Sequence, residues 1–210
     1  MTALGAAAIV RPMALFQRRD RDREVYGDRL PAGQKATEGW PVLHYGSIPK
    51  IDLATWRLEL SGLVEAPVSL TWEELLALPQ ASAHNDIHCV TAWSKFDNDW
   101  SGVAVADVLA RVRLRPEATQ VMIHSYGGYT TNLSLADLSA AGNLFAHGHG
   151  GEPLTREHGW PMRLVVPQLY FWKSAKWVRG LVFLDEEKPG FWESYGYHIR
   201  GDPWKEERYS

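Results

Sequence analysis

The sequence predicts an α+β domain that is mainly β, with short helices. β-prone runs are numerous and short, and turn residues separate them closely. The long strand–helix repeats and the GxGxxG fingerprint of a doubly wound sheet are missing. With 210 residues, 45% of them hydrophobic, the chain is large enough for one buried core.

Residues 1–38 are rich in Arg, Asp and Gly and lack periodicity, so they read as a flexible arm, with 39–210 as the domain. Trp56 to Leu60 alternates and meets Ser61-Gly62, a strand closed by a turn. Ser69 or Thr71 caps a short helix that stops at Pro79. An extended segment follows over Ile87 to Ala92. A second short helix is expected over Ala104 to Arg111, with Val105, Val108 and Leu109 on one face. Gln120 to Ser125 reads as a strand, Gly127-Gly128 as a turn and Leu135 to Ala140 as one or two helical turns. Leu144 to His147 returns to extended structure, and Gly148 to Gly151 is expected to be loop. The runs Arg163 to Val166 and Trp177 to Leu184 are strongly β-prone, the first ending before Pro167. The aromatic and charged stretch from Pro189 to Ser210 is expected to lie over the surface or close a cleft.

A formal net charge of −3, with signs alternating along the chain, gives no reason to expect a nucleic-acid partner. No stretch approaches the roughly 20 apolar residues of a membrane span. The first residues have no basic region ahead of an apolar one, and Arg18-Arg19 leads into Asp20, Arg21 and Asp22 rather than a hydrophobic run. No export signal is expected, and one reduced cysteine fits a cytoplasmic location.

Cys89 is the single cysteine, set in Asp86-Ile87-His88-Cys89-Val90-Thr91-Ala92-Trp93. It is a buried thiol, a nucleophile or a metal ligand. His88 is a poor base for it, because neighbouring residues of a strand face opposite ways. Downstream, His158-Gly159-Trp160-Pro161-Met162-Arg163 brackets a turn with an imidazole and a guanidinium. Lys173, Ser174 and Lys176 follow within reach of the same loop. An arginine fork, lysine charge and backbone N–H groups suit a phosphate, while a surface salt network is the plainer reading. His147 and His149, separated by one residue, are a weak zinc signal, and His44, His84 and His124 are isolated.

Taken in order, Cys89, Gly151-Glu152-Pro153-Leu154, His158 to Arg163 and Lys173 to Trp177 resemble the molybdopterin-binding domain of the sulfite oxidase and eukaryotic nitrate reductase family. The resemblance runs from about Val42 to Trp204. It implies a mixed, mainly β sulfite oxidase-type fold holding molybdenum on a pyranopterin dithiolene, in the mononucleotide-free form. Cys89 is then the protein thiolate on the metal. His158 and Arg163 fall at the positions that bind the pterin phosphate, with Ser174 and Lys176 in the adjoining loop. His44 and Tyr45 occupy the early segment that touches the pterin and lines the approach to the metal. Thr130 and Thr131 lie where a further strand passes the cofactor, and Tyr197 matches a tyrosine that reaches toward the metal.

Sulfite-oxidising members surround the metal with arginines, whereas here Trp93-Ser94 and Leu43 stand at two such places, with only Lys95 nearby. A pocket of Trp93, His44, His124 and Tyr197 suits a less charged substrate. The expected reaction is therefore oxygen-atom transfer in the direction of S- or N-oxide reduction, as in related bacterial catalytic subunits that reduce protein methionine sulfoxide. Sulfite oxidation and a carrier module without turnover are the alternatives. Electrons are expected to pass through a separate electron-transfer protein.

Overall fold

A computed structural model describes residues 20–210. Two sheets carry the fold; the strands expected over 56–60, 120–125, 144–147, 163–166 and 177–184 lie close to where the sequence places them, whereas the extended segment expected over 87–92 ends at Cys89. One sheet has five strands in the order β3 (Val68–Thr71), β2 (Arg57–Gly62), β11 (Val178–Leu184), β6 (Gln120–Ser125) and β7 (Thr130–Ser134). Its β11 runs parallel to β2 and antiparallel to β6. The second sheet has six strands, built on the path β1 (Lys35–Ala36), β5 (Trp93–Ala104), β8 (Leu144–His149) and β10 (Arg163–Val165). In that sheet β4 (Gln80–Cys89) pairs with β5, and β9 (Glu152–Pro153) with β8.

Period-two alternation sorts the six-stranded sheet into two faces. Val103, Phe145 and Leu164 join the larger core with Leu58, Leu60, Val121, Ile123, Leu181 and Phe183 of the other sheet. Their neighbours Leu144, Ala146 and Val165 turn to a second cluster, with Cys89, Trp93, Trp100, Tyr170 and Trp172. The first cluster is the main source of stability, since each fully buried Leu or Phe contributes about 1.5–3 kcal/mol. The second, rimmed by the partly buried Trp40, Phe171, Trp192 and Tyr197, forms the wall of the site.

Two of the short helices are fixed by side-chain caps. Thr71 begins Trp72–Leu76 with a reciprocal capping box, in which Glu74 N donates to Thr71 Oγ1 at 3.1 Å and Thr71 N donates to Glu74 Oε2 at 2.8 Å. Ser134 caps Leu135–Leu138 by accepting from Asp137 N at 2.9 Å. Val105–Leu109 buries Val105 and Val108.

Two expectations change. Of the arm expected over 1–38, residues 1–19 lie outside the described residues, but residues 30–37 are part of the domain. Leu30 and Gln34 are buried, and β1 pairs Lys35 with Trp93 and Ala36 with Ser94. Polar composition hid this, because the segment gains its order from backbone pairing to β5 rather than from an apolar face. Gly148 and His149, expected in a loop, continue β8. Gly148 crosses so close to Ser101 that an added Cβ would stand 2.2 Å from Ser101 Oγ, so a side chain there would require the serine hydroxyl to turn away.

Candidate active site

A cavity of about 270 Å3 opens beside the second cluster. Its lining includes His44, Tyr45, Cys89, His158, Arg163, Ser174, Lys176 and Tyr197, so eight of the ten residues singled out from the sequence meet there. They come from five separate parts of the chain: the segment before β2, the end of β4, the turn leading into β10, the segment before β11, and the C-terminal stretch.

Cys89 is the last residue of β4, with its side chain on the cavity face. His88 points to the other side, where its Nδ1 meets Ser94 Oγ at 2.8 Å and burial pushes its pKa down to about 4. The nearest partner of Cys89 Sγ is Thr91 Oγ1 at 3.1 Å, so among the described residues the thiol has no histidine base. Burial raises the Cys89 pKa, with Thr91 partly offsetting it, and the free chain carries a neutral thiol at neutral pH. A bound cation removes that proton.

Arg163 and Lys176 are the cationic side of the lining. Arg163 is almost fully buried and spends its fork on carbonyl oxygens, Nη1 on His158 at 3.0 Å and Nη2 on Ser174 at 2.8 Å. Its Nε is buried without a partner. The guanidinium lies over Phe171 at 4.1 Å, with Trp40 at 5.4 Å and Trp100 at 5.8 Å. Burial pushes its pKa down to about 9, which leaves it charged at neutral pH. Lys176 donates to Glu157 O at 2.7 Å, and burial together with Arg163 brings it down to about 7. Gly159, at φ +115, lets this turn close, because a Cβ there would lie 3.0 Å from that of Arg163 and 3.3 Å from that of Lys176. Ser174 Oγ accepts from Val166 N at 3.0 Å.

His44 and Tyr45 sit at the mouth, both exposed. His44 Nδ1 is 2.9 Å from Gly46 O, and Tyr45 packs on Phe191 with ring centroids 4.2 Å apart. Tyr197 stacks on Trp192 and meets Trp172 edge-on. Its pKa is raised by burial, Tyr209 and Cys89, so its hydroxyl keeps the proton.

The other sequence-derived residues lie elsewhere. Thr130 and Thr131 are on β7, as a strand was expected there, but neither lines the cavity. Thr131 is buried and donates to Glu193 Oε1 at 2.9 Å. His124, expected in the pocket, sits on β6 opposite Thr130. Lys173 is not a phosphate ligand: it is buried, 2.6 Å from Glu193 Oε1, and also donates to Asn132 and Ile199. His147 meets Gln80 and His149 meets Asn98, and among the described residues no group of three or more His, Cys, Asp or Glu forms a metal cluster.

Several lining residues escaped the sequence reading. Trp40 stacks on His158, with centroids 3.8 Å apart and an 18° tilt. Thr91 holds the thiol, and Tyr129 donates to Trp172 O at 2.7 Å. Thr91 stood two residues after the lone cysteine, a spacing that a strand-end turn brings into contact. Trp40 and Tyr129 carried no local signal.

Comparison with known proteins agrees with this geometry. Residues 45–192 match the family described as "Oxidoreductase molybdopterin binding domain". The chain is 49% identical over 183 residues to the uncharacterized oxidoreductase YuiH of Bacillus subtilis (strain 168), covering 87% of this chain and 92% of that one. It is 32% identical to the protein-methionine-sulfoxide reductase catalytic subunit MsrP of Gluconobacter oxydans (strain 621H), over 70% of this chain and 54% of that one. With sulfite oxidase of Arabidopsis thaliana the identity is 27%, over 74% and 49%. The chain thus spans most of the Bacillus protein and about half the length of these two longer relatives. The sulfane dehydrogenase SoxCD of Paracoccus pantotrophus shares the fold, with a TM-score of 0.62 at 24% identity over 68% of this chain and 41% of that one. The chain belongs to the sulfite oxidase and nitrate reductase family of molybdopterin-binding domains, and is a molybdopterin-dependent oxidoreductase.

Proposed function

We propose that the chain holds molybdenum on a mononucleotide-free pyranopterin dithiolene and reduces an S- or N-oxide by oxygen-atom transfer. The residues present fit that group. One soft sulfur, Cys89, faces a cavity whose lining also holds Arg163, Lys176 and His158, and Arg163 Nε is a buried donor without a partner. When bound, the cofactor exchanges an oxygen atom with a substrate lone pair while molybdenum cycles between Mo(VI) and Mo(IV).

The chain's own groups then have distinct tasks. Cys89 supplies the metal's protein sulfur and loses its proton on binding. Arg163, Lys176 and His158 would anchor the phosphate, with Ser174 beside them, and His44 and Tyr45 would contact the pterin. Tyr197, protonated and lining the cavity, donates a hydrogen bond to an oxide oxygen. Trp93, Trp172 and Trp192 keep water from the reacting centre.

The observation that carries the direction is the neutrality of the wall around Cys89. It is lined by Val90, Thr91, Trp93, Trp172, Trp192 and Tyr197, while Lys95 turns its ammonium to Asn98 Oδ1 at 2.7 Å. Leu43 is also in the lining. A sulfite dianion would forgo charge-assisted hydrogen bonds of about 1.5–3 kcal/mol each, whereas a sulfoxide or N-oxide needs only one donor. The electrons come from a separate electron-transfer protein.

The test is turnover by holoprotein from a molybdenum-replete host. Reduced viologen oxidation with a panel of sulfoxides and N-oxides is compared with sulfite-dependent ferricyanide reduction. Oxide reduction faster than sulfite oxidation supports the reading, and the reverse order overturns it.

A further inference from the structure

The turn that presents Cys89 is held from behind by two segments remote in sequence. Ala92, at φ +70, closes it with a backbone bond from its N to Cys89 O at 3.0 Å. That left-handed conformation is strained for a residue with a Cβ and persists only where the surroundings impose it. The surroundings are specific. Gln34 Nε2 donates to Cys89 O at 3.0 Å, Lys35 N to Ala92 O at 3.2 Å, and Arg208 Nη1 to Val90 O at 2.6 Å. Three of the turn's carbonyl oxygens are thus claimed by residues 34, 35 and 208.

Arg208 is itself placed with care. Its guanidinium lies over the Tyr170 ring at 5.0 Å, and its Nη2 reaches Ala32 O at 3.4 Å. Its backbone O accepts from His198 N at 3.2 Å, and its N donates to Glu206 O at 2.7 Å. The guanidinium spends its hydrogen bonds on carbonyl oxygens, so its positive charge is directed at the turn carrying the sulfur. It does not line the cavity, and so touches neither substrate nor pterin.

We infer that Arg208, together with Gln34, is a positioning residue for Cys89, fixing the turn and setting a cation behind the sulfur that lowers the energy of the reduced metal centre. The inference rests on the reading of Cys89 as the metal ligand. A fixed positive charge near a redox centre favours the more negative, reduced state, and in a half-buried position water screens it little. Arg208 thereby acts on the site without entering it.

The experiment uses full-length holoprotein carrying R208Q, which keeps a donor for Val90 O but removes the charge, and R208M, which removes both. The midpoint potential of the bound molybdenum and its paramagnetic spectrum are read alongside molybdenum and pterin content. These readouts need no oxide turnover, so they stand apart from the choice between oxide reduction and sulfite oxidation. The expected result is a potential shifted negative in both variants, with an altered spectrum in R208M as the turn relaxes. Wild-type potential and spectrum in both, at full metal content, would overturn the inference and leave Arg208 a purely structural residue. If R208M does not accumulate, the potential of R208Q decides. If neither does, Q34M removes the other clamp, and an unchanged spectrum there is equally contrary.

Discussion

Trp40 lies flat on His158, and its carbonyl oxygen is 3.2 Å from Nε2 of the same imidazole. A nitrogen facing a carbonyl must donate, so Nε2 carries the hydrogen and Nδ1 accepts from Thr155 Oγ1 at 3.0 Å. The imidazole of the cofactor-free chain is thereby held at the edge of the cavity, and its Nε2–H is the donor that a phosphate would take over from the Trp40 carbonyl. The same indole covers Arg163, so one aromatic residue orients both groups assigned to the pterin phosphate. W40A is expected to weaken pterin retention about 2–10-fold, from the roughly 0.5–1.5 kcal/mol of an aromatic contact. W40F should retain most of it. Pterin released by denaturation and measured by fluorescence checks both.

Lys176 gives the cofactor-free protein a pH signature. Its pKa falls from 10.5 to about 7 on folding, so between those values the folded chain binds fewer protons than the unfolded one. Its destabilising effect is full below about pH 7 and fades as pH rises toward 10.5. Relative to K176M, the melting temperature of the cofactor-free protein should therefore climb over that window. Binding of an anionic phosphate favours the charged lysine, so cofactor retention should decline above neutrality in the wild type and be flatter in K176M.

The Glu193 carboxylate ties the C-terminal stretch to the site wall. Its Oε1 is 2.6 Å from Lys173 Nζ and accepts from Thr131 Oγ1 and Trp172 Nε1 at 2.9 Å each, and the pair is essentially shielded from water. Removing one partner of a buried pair costs about 3–5 kcal/mol. E193A should thus lower the melting temperature by roughly 6–20 °C, at about 2–4 °C per kcal/mol for a domain of this size. Because Trp192 adjoins Glu193 and Tyr197 stacks on it, tryptophan fluorescence should shift before global unfolding. The double variant K173M/E193L should recover part of the loss, since no lone charge stays buried.

Local chemistry made much of the fold legible. The run Gln120–Ser125 matches β6 end to end, and Thr71 caps the helix it was expected to start. The twelve-residue β5 was not read as a strand, because Asp97, Asn98 and Asp99 interrupt its apolar pattern. There Asp97 takes φ +55 beside a register shift, while Asn98 is buried and bonded to the carbonyls of Asn85 and Lys95. At the site, chemistry restricts which side chains suit a soft metal or a phosphate, and eight of the ten residues singled out line one cavity. Thr130, Thr131 and Lys173 show the limit. Their strand and loop were located, but the facing of each side chain depends on Glu193, more than fifty residues after the two threonines. Trp40 and Arg208 act through tertiary contacts that no spacing encodes.

The central claim is that Cys89, the chain's single thiol, contributes its sulfur to a molybdenum held in this cavity. Molybdenum X-ray absorption on protein from a molybdenum-replete host, comparing wild type with C89S, tests it directly. The account predicts a sulfur shell that shrinks by one scatterer in C89S, with turnover abolished and the melting temperature little changed. An identical sulfur shell in the two proteins, or a wild type without molybdenum, would contradict it.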